Sequence, residues 1–274
     1  MKKNKGLAIV QIYKEVSGNK RMLIKLAKND FKTKYAGSYL GIFWAFVQPI
    51  ITILLYWFVF QVGMRGASGD GRYPYVLTLT AGLVPWFYFN DAWSGATSSL
   101  VQYTFLVKKV VFEVGILPVI KVLSAFFVNI FFTIFMIIML AFYGYYPDIY
   151  YLQLIYCFIC ITIFVSAISY MTSSLVVFVR DLQHLLTVVL QVLMWMTPIM
   201  WSASMLENHP TLLLVLKLNP VFYIVQCYRD SVLNEVWFWE HPLWTAYFWV
   251  LTIAFLFLGT HIFQKLRCHF ADLL

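Results

Sequence analysis

The sequence predicts an all-α, polytopic membrane protein with six transmembrane helices, an N-terminal amphipathic interface helix and short re-entrant helices before the last span. Hydrophobic residues make up 62% of the 274 residues and charged residues only 12%, whereas about 25% of a soluble domain is charged. The apolar residues are gathered into runs of about 20, the length that crosses a bilayer as a helix. Because backbone groups in lipid must pair within the chain, these runs are predicted to be helical.

The first 37 residues are predicted to form a basic cytoplasmic segment, followed by a transmembrane domain at 38–274. Ten of the twenty Lys and Arg residues fall within residues 2–34. Residues 20–36 mix bases with apolar side chains, a pattern typical of a helix that lies in the headgroup plane. A basic segment directly before an apolar run favours anionic membrane lipid as its partner, and we do not expect nucleic acid.

Two segments between the apolar runs are not predicted to cross the membrane. Residues 98–116 are too polar to span and too apolar to be a free loop. Residues 202–241 hold two apolar stretches separated by Asn219 and Pro220, each too short to span, so re-entrant helices are predicted. The first span contains Pro49, which should kink it. The six predicted spans are about 39–62, 75–97, 118–142, 150–178, 185–201 and 243–263.

The distribution of positive charge predicts that both termini are cytoplasmic. With the N-terminus inside, only four of the twenty Lys and Arg residues fall on the outer side: Arg65, Arg72, Lys217 and Arg229. Loops rich in Lys and Arg stay on the cytoplasmic side. We therefore expect a multi-pass protein of the cytoplasmic membrane.

The sequence shows no nucleotide site of its own. Residues 66–73 place Gly66 and Gly71 at the spacing of a phosphate-binding loop. They lack the Lys that reaches the phosphates and the Ser or Thr that binds magnesium. We expect no ATP, magnesium or other cofactor on this chain.

Catalytic and metal-binding residues are not predicted either. The five histidines have no spacing that would hold a metal on one helix. Cys157 and Cys160 are interpreted as packing residues. Asp91 is a lone carboxylate in the second span, suited to a gate or a helix cap. An intramembrane glycan-modifying enzyme would need paired catalytic groups at membrane depth, and an ion-coupled carrier would need more intramembrane charges than Asp91.

Four features remain as functional candidates, each with a plain structural alternative. The segment 98–116 is either a lipid-lying helix or a docking surface for a cytoplasmic partner. Arg180, Asp181 and His184 form a second cytoplasmic turn, which is either simply solvated or part of that surface. The aromatic residues of spans one and five either pack against lipid and helices or line a path for a glycan. The segment around Asn219 is either an interfacial cap or an outer gate.

Six segments, taken in order, resemble a known family. They are residues 28–60 (KNDFKTKYAGSYLGIFWAFVQPIITILLYWFVF), 81–93 (AGLVPWFYFNDAW), 107–129 (VKKVVFEVGILPVIKVLSAFFVN), 178–184 (FVRDLQH), 197–204 (TPIMWSAS) and 218–230 (LNPVFYIVQCYRD). Together they resemble the permease subunit of the polysaccharide-exporting type-2 ATP-binding-cassette transporters, which export O-antigen, capsule, teichoic acid and rhamnose polysaccharides.

The resemblance implies a homodimer that joins two copies of a separate cytoplasmic ATPase, which binds ATP and magnesium. A lipid-linked glycan would then leave the bacterial cytoplasm through a channel at the dimer interface, lined by the first and fifth spans. An exporter of a drug or a simple lipid is the nearest alternative. The expected path residues are Phe43, Trp44, Tyr56, Met194, Trp195 and Trp201.

The resemblance also places the coupling to the ATPase and the outer gate. The ATPase would dock on Leu106–Gly115, with the turn at Arg180–His184 close by. Asn219 and Pro220 would belong to the outer gate. The expected coupling residues are Leu106, Lys108, Lys109, Phe112, Glu113, Arg180, Asp181 and His184.

Overall fold

A computed structural model describes residues 8–37, 39–63, 73–109, 112–206 and 208–274, and no β-strand occurs in these ranges. The all-α prediction is therefore confirmed. The phosphate-loop-like stretch at 66–71 and the outer bases Arg65 and Arg72 lie outside the described residues. The α-helices are α1 (Ala8–Gly18), α2 (Lys20–Tyr35), α3 (Trp44–Trp57), α4 (Tyr75–Thr97), α5 (Ser99–Gln102), α6 (Thr104–Val107), α7 (Leu117–Phe142), α8 (Gln153–Val176), α9 (Leu182–Met196), α10 (Pro210–Lys217), α11 (Pro220–Arg229), α12 (Pro242–Leu266) and α13 (Phe270–Leu273).

Short 3₁₀ and π turns extend several of these helices. Gly41–Phe43 leads into α3, Phe58–Gly63 continues it as a π-helix, and Asp230–Asn234 continues α11 in the same way. The remaining 3₁₀ turns are Val114–Ile116, Ile149–Leu152, Ala203–Leu206, Phe238–Glu240 and Arg267–His269.

Four helical segments are long and apolar enough to cross a membrane: Gly41–Gly63, Val114–Phe142, Ile149–Val176 and Pro242–Leu273. A further pair, Pro210–Lys217 and Pro220–Asn234, is bent by 91° and is either a broken span or a re-entrant loop. Length and apolarity thus support four or five spans. The two predicted spans that do not meet this test are α4 and α9.

The helix α4 lies at the centre of the protein. Fifteen of its 23 residues are buried, and it packs against α7, α8, α11, α3 and α9. Its polar side chains pair inside the protein: Thr97 Oγ1 lies 2.7 Å from Thr172 Oγ1 of α8, and Tyr88 OH lies 3.0 Å from Thr162 Oγ1. Because its neighbours satisfy these groups, α4 can be less apolar than a helix that faces lipid.

The helix α9 ends at Met196, five residues earlier than the predicted end of span five at 201. Thr197 adopts an extended conformation (ψ 130°) because the proline at position 198 disfavours the helical conformation for the residue before it. With 15 residues, α9 is about 22 Å long at 1.5 Å per residue.

The N-terminal helices pack on the protein. Ile12 of α1 and Leu23 and Ala27 of α2 are buried with Val114 and Phe263 in a second apolar cluster, separate from the main core. Leu23 and Ala27 are four residues apart and so share one face of α2. The apolar face of the predicted interface helix therefore contacts α7 and its neighbours, while its position relative to lipid headgroups remains a prediction.

A disulfide joins Cys157 of α8 to Cys227 of α11, with the two Cα atoms 6.1 Å apart. The interpretation of Cys157 as a packing residue was therefore wrong, whereas Cys160 is a buried free thiol. Cys227 lies 70 residues from Cys157. No local spacing could have indicated this pair.

Candidate functional site

A cavity of about 470 Å³ lies between α3, α4, α7 and α9. One wall is a single face of α3, since Trp44, Gln48, Thr52 and Tyr56 follow one another at intervals of four residues. Met194 of α9 also lines it. Three of the predicted path residues, Trp44, Tyr56 and Met194, thus meet in one cavity, and the polar pair Gln48 and Thr52 was missed although its four-residue spacing is visible in the sequence.

The other three predicted path residues lie outside this cavity. Phe43 is exposed in the turn before α3, and Trp195 is exposed near the end of α9. Trp201 Nε1 donates a hydrogen bond to the carbonyl of Trp195 at 3.2 Å. The structure therefore groups Trp195 with Trp201 and separates both from the face of α3.

A second, more polar cavity of about 380 Å³ shares Lys34, Asp91 and Ala125 with the first. Lys34 of α2 forms an ion pair with Asp91 of α4. Asp91, predicted to be a gate or a helix cap, thus ties α2 to α4. The other polar residues that line this second cavity include Ser94, Ser98, Gln102, Ser124 and Gln183.

The second ion pair of this cavity joins Lys121 to the buried carboxylate of Asp30. Lys121 Nζ lies 2.6 Å from Asp30 Oδ1, and Tyr103 OH donates to the same oxygen. Burial and the Asp30 carboxylate raise the pKa of Tyr103, so the phenol stays protonated and remains a donor. The paired charges make this cavity polar without giving it a net charge.

The predicted coupling segment presents two lysines outward. Lys108 and Lys109 are exposed, while Leu106, Phe112 and Glu113 are partly buried. Val107 before them and Val114 after them are buried in the second apolar cluster. Residues 110 and 111 lie outside the described residues. The segment is therefore held on both sides of its exposed lysines.

The turn between α8 and α9 carries the second group of predicted coupling residues. Arg180, Asp181 and His184 are exposed there. Gln183, in the first turn of α9, lines the polar cavity, and its Nε2 lies 3.5 Å from Ser94 Oγ. The turn thus has one side open to solvent and one side against the polar cavity.

At a junction around Arg267, ion pairs join three segments that are far apart in the sequence. The guanidinium forms an ion pair with Glu15 of α1, and Nη2 lies 3.1 Å from Glu113 Oε2 in the coupling segment. Arg267 itself follows the end of α12. Burial raises the pKa of Glu15 despite the nearby guanidinium. Although partial burial acts in the opposite direction, the two carboxylates raise the pKa of Arg267.

Removing the guanidinium is expected to loosen α1. In Arg267→Ala the mostly buried Glu15 carboxylate loses its cation, and a charged hydrogen bond of this kind contributes about 1.5–3 kcal/mol. Hydrogen exchange followed by mass spectrometry should show faster exchange of residues 8–18 and of the coupling segment. Lys265→Ala, which removes an exposed charge from the same helix end, is the matched control. Unchanged exchange in α1 would show that the junction does not hold this helix.

Asn219 and Pro220 begin α11 and fasten it to the end of α9. Asn219 Oδ1 accepts from the backbone N–H of Val221 at 3.0 Å, and Asn219 Nδ2 donates to Thr197 Oγ1 at 2.9 Å. Proline at the first helical position is pre-organised for a helix start. Asn219 therefore caps α11 and Pro220 is its first residue, while the role of both as a gate remains a prediction.

Arg229 holds the same turn from the other end of α11. Its Nη1 donates to the carbonyl of Pro198 at 2.7 Å and its Nη2 to that of Ile199 at 2.9 Å. Only 7% of Arg229 is exposed. The side chain is therefore directed into the protein, while the position of Arg229 on the outer side of the membrane remains a prediction.

Within the described ranges, no group of three or more His, Cys, Asp or Glu side chains is placed to bind a metal ion.

Comparison with known proteins gives two kinds of match. A family model described as "ABC-2 type transporter" matches residues 22–233. A curated protein of Myxococcus xanthus, "O-antigen export system permease protein RfbA", is 25% identical over 268 residues, which covers 96% of this chain and 99% of the relative. A protein of the same name from Klebsiella pneumoniae is 28% identical over 257 residues, covering 92% of this chain and 95% of the relative.

Proposed function

Because this chain belongs to the ABC-2 type transporter family, we propose that it is the transmembrane permease subunit of an ATP-driven exporter of a lipid-linked polysaccharide or teichoic acid. The observation that carries the proposal is the similarity, along nearly the whole chain, to proteins named as O-antigen export permeases. The family resemblance drawn from the sequence is thereby confirmed. The substrate, the outward direction and the bacterial cytoplasmic membrane belong to the proposal.

Six spans are proposed: α3, α4, α7, α8, α9 and α12. At 23 residues, α4 is about 34 Å long, enough for a hydrocarbon core of about 30 Å. The basic residues 1–37 would lie inside at the membrane surface, 38–274 would form the transmembrane domain, and the bent pair α10 and α11 would re-enter from outside.

The disulfide supports this orientation. Such bonds persist in oxidising compartments and are rare in the cytoplasm, so the start of α8 and the helix α11 belong on the outer side. The lysine-rich helix α2 and the helix α1 before it would then lie inside, with the C-terminal residues that pack on α1.

The glycan is proposed to pass between two copies of the chain, along α3 and α9. Within α3 only Ala45 and Ile53 are buried, and within α9 only Leu186 and Leu190. Both helices therefore have apolar surface for a second copy to cover. The face of α3 with Trp44, Gln48, Thr52 and Tyr56 offers aromatic and polar groups together, which suits a polyhydroxylated chain.

ATP hydrolysis is proposed to occur on a separate cytoplasmic ATPase that binds ATP and magnesium, giving a heterotetramer of two permeases and two ATPases. Lys108 and Lys109 are exposed between two buried anchors, as a docking surface requires. The partly buried Glu113 connects that surface to α1 and α12 through Arg267. The exposed turn with Arg180, Asp181 and His184 would add to the same surface.

The proposal is tested by purifying the tagged chain from its native membrane. We expect an ATPase at equal stoichiometry, whose activity rises on reconstitution with the permease. Substituting Lys108, Lys109, Phe112 and Glu113 together by alanine should reduce this stimulation at least tenfold, because the docking contacts are removed.

The control for this substitution is Lys25→Ala with Lys28→Ala, two exposed lysines of α2, which should leave the stimulation unchanged. A permease that purifies without any ATPase would rule out the exporter. Full stimulation in the fourfold variant would rule out only the coupling surface.

A further inference from the structure

A third cavity, of about 340 Å³, lies between α10, α11 and the first turns of α12, and its lining includes none of the residues predicted for the path, the coupling or the gate. Its volume falls at the lower end of the range for small-molecule sites. Five of its fourteen lining residues are aromatic: Phe222, Tyr223, Phe238, Trp244 and Tyr247.

Three of these aromatic rings are held in place by contacts within the protein. Tyr223 OH lies 3.1 Å from Thr245 Oγ1, and Tyr247 OH donates to the carbonyl of Leu218 at 2.7 Å. The ring of Phe238 stacks on Tyr156 with the centroids 3.9 Å apart. A ligand that uses these rings would therefore lose little free energy in ordering them.

A buried carboxylate sits among these rings. Asp230 is 6% exposed, and its Oδ1 accepts from Gln226 Nε2 at 2.8 Å and from Asn234 Nδ2 at 2.7 Å. These two bonds orient the carboxylate and leave Oδ2 free of hydrogen bonds to the described residues. Asp230 and Gln226 both line the cavity, so the cavity offers a strong acceptor held in place.

The rim of the cavity is polar. His241 is exposed, and Lys217 Nζ lies 5.2 Å from the centre of the Trp244 ring. The neighbouring Glu235 and Glu240 are exposed as well. Charged groups of this kind are costly within the hydrocarbon layer, so the opening belongs at the level of water and headgroups.

We propose that this cavity is a binding site for one neutral sugar ring. The ring's C–H face would pack on the aromatic side chains, and its hydroxyl groups would donate to Asp230. An acyl chain fits poorly because it would leave the carboxylate desolvated without a donor. A phosphate fits poorly because it would be repelled by the same carboxylate. The sugar's hydroxyl groups satisfy it with charge-assisted hydrogen bonds.

The site would hold one sugar unit of the exported glycan beside the outer mouth of the channel. This role in export rests on the proposed function, whereas the binding of a sugar does not. It is separate from the proposed path, since α3 and α9 contribute nothing to its lining. The bound ring would lie between α10, α11 and the start of α12.

The test is direct binding of sugars to the full-length protein in lipid nanodiscs, measured by saturation-transfer-difference NMR. The probes are glucose, galactose, mannose and rhamnose. We expect saturable, millimolar binding of at least one of them, weakened at least tenfold by Asp230→Asn, which removes the charge of the acceptor.

A second variant keeps the test valid if Asp230→Asn folds poorly. Ala203→Trp adds bulk to the lining without removing a side-chain hydrogen bond, and it should abolish binding, whereas Ala203→Ser should retain it. Binding that survives in Ala203→Trp, or no saturable binding by any of the four sugars, would overturn the proposal. Because this binding assay needs no ATPase, its result can be interpreted even if the assignment as an exporter fails.

Discussion

Replacing Arg229 by methionine should lower the free energy of unfolding by about 3–5 kcal/mol. The guanidinium donates to the carbonyls of Pro198 and Ile199 and approaches that of Thr78 at 3.4 Å. Each hydrogen bond to a charged group contributes about 1.5–3 kcal/mol, and a buried carbonyl left unpaired adds a desolvation cost. Methionine has a similar length but supplies no donor, so the turn after α9 would lose its attachment to the C-terminal end of α11 and keep only the hydrogen bond between Asn219 and Thr197 at the other end.

Thermal unfolding of the detergent-solubilised protein, followed by tryptophan fluorescence, measures this effect. Arg21→Met is the matched control because Arg21 is an exposed arginine of α2, and it should change stability by less than about 0.5 kcal/mol. Equal unfolding midpoints for the two variants would show that the buried guanidinium contributes no more than a surface one.

Gly259→Ala should destabilise the packing of α8 against α12 by about 1–3 kcal/mol or more. A Cβ at residue 259 would lie 2.5 Å from the carbonyl oxygen of Ala167 and 3.3 Å from the backbone nitrogen of Met171. Both neighbours belong to the backbone of α8, so a side chain cannot move aside. The two helices would have to separate along their contact.

The same unfolding measurement, together with hydrogen exchange along α8, checks this prediction. Gly95→Ala serves as the control, because its Cβ would meet only Lys121 side-chain atoms at 3.7 Å or more. Alanine is a better helix former than glycine by about 0.5–1 kcal/mol, so Gly95→Ala should be neutral or slightly stabilising. If Gly259→Ala behaves in the same way, the close approach of α8 and α12 is wrong.

Local patterns in the sequence were sufficient for the long helices α2, α4, α7, α8 and α12, but they did not predict α1. An apolar run is a property of neighbouring residues, and the second run was predicted at 75–97, where α4 begins at Tyr75 and ends at Thr97. The end of α9 could also have been placed from the sequence, since the threonine–proline pair at 197–198 carries the signal that stops it.

Contacts between distant residues could not be predicted in this way. The sequence shows that Arg229 is a base in a segment between spans, but it does not show which carbonyls surround it. Glu15 and Arg267 are 252 residues apart, and the residues next to each of them give no indication that the two form an ion pair. The candidate site was therefore predictable as a set of regions. The four-residue spacing of Trp44, Gln48 and Thr52 is visible in the sequence, but only the packing of α3 shows that this face lines a cavity.

The junction at Arg267 also bears on the order in which the protein can fold during synthesis. Glu15 and Arg267 are 252 residues apart, so the ion pair between them cannot form until the chain that separates them has been made. All six proposed spans lie before Arg267, since α12 ends at Leu266. A chain truncated after Leu266 would contain every span and still lack this junction. The surface proposed to receive the ATPase therefore acquires its attachment to Arg267 only after the last span has been synthesised.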